Sequence, residues 1–525
     1  MNTIKYLLVL GLLAAGISSA SSANERYDVI FRGGNVYDGS GTPWIRSDIA
    51  VSGDRIAAMG DLAGAEAERV VEARGLILAP GFIDTHSHAS RGLADEGLSR
   101  AHALLAQGVT SVFVNPDGSG AVDLEAQQES FLEHGLGVNV AQFVPHGSVR
   151  RRVMGTEDRE ASDDELDEMR ALVEKGMEAG AFGLSSGLFY VPGSYSPTGE
   201  VIELARVASR YGGAYQSHIR DEADYTVGVV ASVDEVIEIA REAELPGIVT
   251  HIKVLGPRVW GYSAALVHRI ERAREDGVEI FADQYPYTAS ATSLSAALMP
   301  HWAREGGRSG MLERMEDPDD RERIRRDILD NLDRRGGADR IQIRSFSQDS
   351  SLEGLLLSEV SQRRGIDPAD AVLDLLQEGS PGIVSHNMHD ADVARLMRQS
   401  WTMTASDGGL SELGRGVPHP RQYGTFPRKL RKYAMEDGVV DFPFAIRSMT
   451  AMPALVYRVR DRGVLREGAY ADIVVFNKEE LNDPATFTDP HHLAEGMVHV
   501  LVNGEFAVDD GEFADAMSGR VLRRR

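Results

Sequence analysis

Residues 81–88 read Gly-Phe-Ile-Asp-Thr-His-Ser-His, an apolar strand that runs out into His86 and His88. Residues two apart on a strand point to the same face, so both imidazoles look the same way. Neutral imidazoles side by side are good ligands for zinc or a similar divalent ion, and a His-x-His can equally be a hydrogen-bonded pair of no special role. Recurrence separates the two readings. Groups able to bind metal return at the ends of other strand-like runs: Val114-Asn-Pro-Asp117, Ser217-His218-Ile-Arg-Asp-Glu222, Thr250-His251-Ile-Lys253 and Ala405-Ser406-Asp407. A lone buried histidine is usually a core residue. Four histidines and two aspartates brought to one mouth point instead to a metal-assisted reaction.

The elements that must bring them there alternate in type. Strand-like runs fall at Gly81–His86, Thr110–Val114, Val138–Val144, Ala181–Leu184, Ala214–His218, Gly247–His251, Glu279–Asp283 and Thr402–Ser406. Between them, Glu165–Ala179, Val201–Tyr211, Val233–Ala243 and Ala264–Asp276 carry apolar residues at helical spacing. Eight strands with intervening helices predict an α/β fold, a (β/α)8 barrel over residues 81–450, which gathers the carboxyl ends of its strands at one mouth. Residues 288–401 are too many for one crossover, so a helical insertion or lid is expected before strand eight. Short strands and turns at 24–80, and strands such as Ala471–Phe476 and His499–Val502 within 451–525, predict one small β domain built from both ends of the chain.

Composition narrows the class. The 42% hydrophobic content of 525 residues suffices for a sizeable core, and 26% charged residues with 54 glycines suit a turn-rich α/β protein. Residues 1–23 read as a signal peptide: Lys5, an apolar run at Leu7–Ile17 too short to span a bilayer comfortably, then small residues with cleavage after Ala23 or Ala20. An exported protein, periplasmic or secreted, is therefore expected, with no integral membrane segment after leader removal. There is no cysteine, which excludes disulfides, a lipid-modified N-terminal cysteine and a thiol nucleophile. The formal net charge of −25 repels phosphate backbones, so nucleic acid is not an expected partner.

Over nearly the whole mature chain, the sequence resembles the amidohydrolase superfamily and, within it, the N-acyl-D-amino-acid deacylases (D-aminoacylases). The resemblance is carried by Gly81-Phe-Ile-Asp-Thr-His-Ser-His88, His146-Gly-Ser-Val-Arg150, Gly183-Leu-Ser-Ser-Gly-Leu188 and Tyr190-Val-Pro-Gly193. It continues through His218-Ile-Arg-Asp-Glu222, His251-Ile-Lys253, Asp283-Gln-Tyr-Pro-Tyr287, Ser406-Asp-Gly408, His419-Pro-Arg-Gln-Tyr-Gly-Thr-Phe-Pro-Arg428 and Ala471-Asp-Ile-Val-Val-Phe476. It implies one tight zinc held by His218, His251 and a strand-two residue, with His86, His88 and Asp407 forming a second position. The strand-two residue in that family is usually cysteine; here it is Asp117. A carboxylate can coordinate zinc and bridge two ions, so the number of metals stays open.

The resemblance also implies a hydrolase acting on a linear amide bond of a small N-acylated amino acid, with the family's preference for the D enantiomer. Asp407 would orient the attacking water, take its proton and pass it to the departing amine. Lys253, Arg421 and Tyr285 are the candidates for the substrate's α-carboxylate, and Tyr190 either joins them or packs. Arg220 is expected to pair with its neighbours Asp221 and Glu222, and Arg150–Arg152 to lie in a solvated loop. Dipeptides with a C-terminal D residue fit the same chemistry. Cyclic amides fit less well, because enzymes of that kind often carry a carboxylated lysine on strand four, and Ala181-Phe-Gly-Leu-Ser-Ser-Gly-Leu188 has none. A metal-free binding barrel predicts lost ligand positions, and none is lost.

Overall fold

The computed structural model describes residues 26–524; the expected leader lies outside the described residues. Eight parallel strands build the barrel: Phe82–Asp84, Val109–Val114, Asn139–Gln142 (resumed at Val144–Pro145), Gly183–Gly187, Ala214–His218, Gly247–Val249, Ile280–Gln284 and Thr402–Thr404. Each pairs in parallel with the next. The ring closes between the eighth strand and the first, where the Asp407 amide donates to the His86 carbonyl at 2.9 Å and the His88 amide to the Gly408 carbonyl at 2.7 Å. Three of the residues that could do chemistry thus also seal the sheet.

The strands are buried almost throughout, as parallel strands clad in helices must be. The expected helices form at Asp163–Glu178, Thr198–Arg210, Val229–Ala243 and Ser263–Glu275. Each buries one stripe; in the third, Val229, Val233, Val236 and Ala240 face the strands at three- and four-residue spacing. Asp163–Glu178 begins with a capping box between Ser162 and Glu165, which satisfies amides the helix itself leaves open.

The β domain is one nine-stranded sheet made from both ends of the chain. Its seam is the antiparallel pairing of Ile77–Pro80 with Ile473–Phe476, which joins residues almost 400 positions apart. The apolar core beneath it includes Phe31, Ile49, Val51, Leu78, Val475 and Leu501. Residues 451–457 do not join this domain, although the sequence reading assigns them to it. The helix Ala451–Val456 belongs to the barrel's own core, and the Tyr457 ring lies 4.5 Å from that of Phe113 at the barrel floor.

The long connection before strand eight also differs from the helical insertion expected. Its helices Gly307–Glu316, Pro318–Arg334, Leu357–Arg364 and Pro368–Glu378 pack on a three-stranded antiparallel sheet of Ser290–Ser293, Gly382–Ser385 and Ile341–Ser345, around a core of its own. Ser290–Ser293 reads Ser-Ala-Thr-Ser and carries no apolar alternation, so nothing in it announces a strand. The following helix, Asp390–Met397, returns to the barrel through Val393, Leu396 and Met397. Among the described residues no helix is long and apolar enough to cross a membrane.

Lys429 lies under the barrel mouth with 1% of its surface exposed, and its ammonium donates to the hydroxyls of Thr404 and Ser448, each at 2.8 Å. Burial without a carboxylate partner pulls it down to about 7. A lysine whose folded pKa is depressed binds fewer protons in the folded state between that value and its ordinary one, so stability rises with pH across this window. Relative to Lys429→Met, the parent protein should therefore gain stability as pH rises from about 7 to about 10. Denaturant unfolding of both proteins across that range checks it; parallel curves would contradict it.

Candidate metal centre and active site

The six groups picked out in the sequence converge at the carboxyl ends of strands one, two, five, six and eight. Asp117 is at their centre. Its Oδ1 lies 3.3 Å from His86 Nε2, 3.3 Å from His251 Nε2 and 3.7 Å from His218 Nδ1, and its Oδ2 lies 3.4 Å from His88 Nε2. Asp407 Oδ1 lies 3.2 Å from His88 Nε2 and 3.8 Å from His86 Nε2. Two clusters result, His86–His88–Asp117–Asp407 and Asp117–His218–His251, and they share Asp117.

The backbone is bent to achieve this. Asp117, His251 and Asp407 adopt left-handed conformations with φ of 54°, 36° and 49°. Such conformations cost a non-glycine residue of order 1–3 kcal/mol and persist where the surroundings enforce them, commonly at functional sites. Gly187 is one such surrounding: a Cβ there would come within 2.2 Å of the Asp117 carbonyl, so only glycine lets strand four approach this closely.

The donor set fits a divalent cation. Two atoms about 2.0–2.1 Å from one tetrahedral ion lie about 3.3 Å apart, close to the spacings above. Both ring nitrogens of His86 and Nε2 of His218 are buried with no hydrogen-bond partner. His218 Nδ1 and His251 Nε2 face each other at 2.9 Å, a contact that needs a proton or a cation between the lone pairs. Burial opposes charge on both carboxylates, yet the imidazoles beside Asp117, and Arg421 and His251 beside Asp407, hold both well below the usual carboxylate range. Burial pulls His218 down to about 4. It also opposes charge on His251, as does Lys253, but Asp407, Asp117 and Glu222 outweigh them and lift His251 to about 10.

A second layer holds the first. Glu222 reaches the outer nitrogen of both strand-five and strand-six imidazoles, His251 Nδ1 at 3.3 Å and His218 Nε2 at 3.7 Å, the placement that orients metal-binding histidines. Lys253 Nζ is 2.5 Å from Glu222 and 2.7 Å from His251 Nδ1. Asp283 accepts from the His251 amide and from Thr85. Asp84 accepts from the hydroxyl and amide of Ser406, and burial raises its carboxyl to about 6. Sequence reasoning gave Asp84 and Asp283 no role and took Glu222 only as a partner of Arg220, although Glu222 stands four residues after His218 in a motif already singled out.

The proposed substrate contacts lie in the same cavity, of about 630 Å³, a size suited to a small organic ligand. Arg421 pairs with Asp407 Oδ2 at 2.8 Å. The buried Tyr285 ring carries Arg421 on its face at 4.6 Å and Lys253 at 5.6 Å. Tyr190 lines the cavity, 4.6 Å from the His218 ring, with its hydroxyl 3.3 Å from that of Thr292. Tyr287 is turned away and donates to Asp483 at 2.9 Å. Two expectations differ, one of an ion pair and one of a loop. Arg220 pairs with Glu235 at 2.7 Å rather than with its chain neighbours, because Asp221 is taken up by the amides of Ala223, Thr226 and Gly228. Arg150 is fully buried in the helix His146–Met154 and pairs with Glu200, which also binds His146 at 2.9 Å, so this stretch is no solvated loop.

A (β/α)8 barrel with a histidine–aspartate cluster at its mouth defines a class of metal-dependent hydrolases, and similarity to known proteins makes the class definite. Residues 69–508 match the family described as "Amidohydrolase family". The chain is 34% identical to a D-aminoacylase of Alcaligenes xylosoxydans xylosoxydans, across 96% of this chain and 99% of that relative. It is also 34% identical to an N-acyl-D-glutamate deacylase of the same organism, across 95% and 97% of the two chains. The crystal structure of an N-acyl-D-glutamate deacylase from Bordetella bronchiseptica, complexed with zinc and a phosphonate inhibitor, superimposes with a TM-score of 0.81 at 32% identity and covers 95% of this chain and 100% of that one. The chain belongs to the amidohydrolase family and, within it, to the D-aminoacylase and N-acyl-D-amino-acid deacylase group.

Proposed function

We propose that this protein is a zinc-dependent hydrolase that cleaves the amide bond of N-acyl-D-amino acids, giving a carboxylate and the free D-amino acid. The observation that carries the proposal is the pair of clusters sharing Asp117 inside a cavity that also presents Lys253 and Arg421. The names of the relatives support both the bond cleaved and the D preference. Strand four, Gly183–Gly187, offers no lysine to be carboxylated, which weighs against a cyclic amide as substrate.

Asp117, His218 and His251 would hold one zinc, and His86, His88, Asp117 and Asp407 a second position. Bound there, zinc supplies Lewis acidity to the scissile carbonyl and brings the pKa of water towards neutrality. The rest falls to the chain. Arg421 fixes Asp407 Oδ2 and leaves Oδ1 to take a proton from the attacking water and hand it to the departing nitrogen. Lys253 has three donors, of which Glu222 uses one, and Arg421 has five. Their remaining donors, over the Tyr285 face, suit the α-carboxylate of the substrate, with Tyr190 also lining the cavity. The insertion contributes Thr292 and Ser293 to the cavity wall.

The proposed place of action is the periplasm or the medium. The apolar run Leu7–Ile17 and the small residues after it support export. N-terminal sequencing of the protein recovered outside the cytoplasm should begin at Asn24 or Ser21; an intact Met1 end would count against it.

Amine release from N-acetyl-D-amino acids should be metal-dependent and at least tenfold faster than from the L enantiomers, with zinc-loaded and chelated protein compared directly. Equal rates for both enantiomers, or undiminished activity after chelation, would refute this reading. Asp117→Ala should lower bound metal at both positions, whereas His88→Ala should lower it at one, as read by elemental analysis of dialysed protein. Equal metal content in the two variants would contradict the sharing of Asp117.

A further inference from the structure

The cavity is far more cationic than the molecule around it. The chain has a formal net charge of −25, yet its walls present Arg151, Lys253, Arg335, Arg344 and Arg421 against Asp117, Glu222 and Asp407 alone. Those three carboxylates are already engaged, with the imidazoles, Lys253 and Arg421 respectively. Arg335 donates to the Tyr225 hydroxyl at 2.6 Å, and Arg151 to the Val191 carbonyl at 2.7 Å. Arg344 has no hydrogen-bonding partner of its own among the described residues; its charged neighbours are Arg421 and Asp407, which are paired with each other.

Arg344 is aimed, not stranded. It lies on the insertion strand Ile341–Ser345, whose register with Gly382–Ser385 slips between Ile343 and Ser345, so it is the extra residue of a bulge. Bulges redirect a side chain and recur beside active sites. Across from it, a Cβ on Gly382 would come within 3.0 Å of both Nε and Nη2 of Arg344, so the missing side chain at Gly382 is the space the guanidinium occupies. Gly382 in turn pairs with Ser293, which also lines the cavity. Burial first, and then Arg421, pull Arg344 below the usual arginine range. A half-buried guanidinium in that setting is destabilised until an anion meets it, and a carboxylate meets it with two parallel hydrogen bonds.

We infer that Arg344 binds a second carboxylate of the substrate, and that the preferred substrates are N-acyl derivatives of D-aspartate or D-glutamate rather than of neutral D-amino acids. The inference rests on the deacylase reading above. The neighbours of Arg344 are Arg421, proposed for the α-carboxylate, and the Asp407 that Arg421 holds, so the second carboxylate belongs to the amino-acid side chain and not to the acyl group.

N-acetyl-D-glutamate and N-acetyl-D-glutamine share a shape and differ by one charge. The wild-type protein should favour the glutamate by at least tenfold in kcat/KM, chiefly through KM. Arg344→Met should cut kcat/KM for the glutamate about 10–100-fold, the range expected for a lost charge-assisted pair, and leave the glutamine within about threefold; Arg344→Lys should fall between. Equal wild-type rates for the two, or a ratio unchanged in Arg344→Met, would overturn the inference. An Arg344-dependent gain seen only with N-succinyl-D-leucine over N-acetyl-D-leucine would overturn the side-chain assignment. Calorimetric binding of N-acetyl-D-glutamate and N-acetyl-D-glutamine to both proteins gives the same comparison without turnover. Arg344-dependent binding with no cleavage of any acylated amino acid would sink the deacylase reading alone, and cleavage of neutral substrates with no charge preference would sink this inference alone.

Discussion

Four imidazoles and two carboxylates are packed with their lone pairs turned inward on one small volume, and that arrangement is unstable without positive charge at its centre. The approach of His218 Nδ1 to His251 Nε2 at 2.9 Å states the problem in one contact. Protons relieve it in part, which is why His251 is lifted to about 10 while burial keeps His218 near 4. A divalent ion relieves it fully. Much of the surrounding structure follows from holding these groups in place: three left-handed turns, Glu222 behind two imidazoles, Asp283 under the His251 amide, Arg421 on Asp407. The barrel's closing hydrogen bonds run through the same residues, so the fold and the centre cannot vary independently.

Asp117 is where this chain departs from the cysteine usual in its family. A thiolate offers one sulfur, whereas a carboxylate offers two oxygens on a planar fork. Here Oδ1 turns to His251, His218 and His86, and Oδ2 to His88, so one side chain spans both clusters. The exchange also makes the donor set harder, all nitrogen and oxygen, which relaxes the bias towards soft, thiolate-favouring metals. A chain that meets an oxidising environment gains from the change as well, because a metal-binding thiol exposed there is open to sulfenic and higher oxidation and a carboxylate is not.

The barrel and its ligand candidates were legible because both depend on local pattern. Buried parallel strands are short apolar runs, and the polar residue that ends each run marks the mouth, as with Val114 to Asp117 and Gly247 to His251. What was not legible depends on pairings distant in sequence. Ser290–Ser293 becomes a strand only because Gly382–Ser385 lies beside it, and Tyr457 belongs to the barrel only because Phe113 waits at the floor. Arg220 and Arg150 found partners on other helices, Glu235 and Glu200, rather than among their chain neighbours. Glu222 and Arg344 were missed for a related reason: a charged residue in sequence gives no sign of whether its counter-ion is a neighbour, a ligand or solvent.

The contrast between an anionic molecule and a cationic cavity bears on how a substrate is recognised. Steering from a distance works against an anionic substrate here, since the molecule as a whole repels it. Salt limits that repulsion to about 8 Å at physiological ionic strength. Attraction is therefore felt only inside the mouth, where low dielectric strengthens the field of Lys253, Arg421 and Arg344 and no free carboxylate competes. A small anion that enters meets positive charge beside the centre. A large polyanion is held off by the outer surface before any part of it can reach that charge. Selection by size thus follows from the distribution of charge as much as from the dimensions of the cavity.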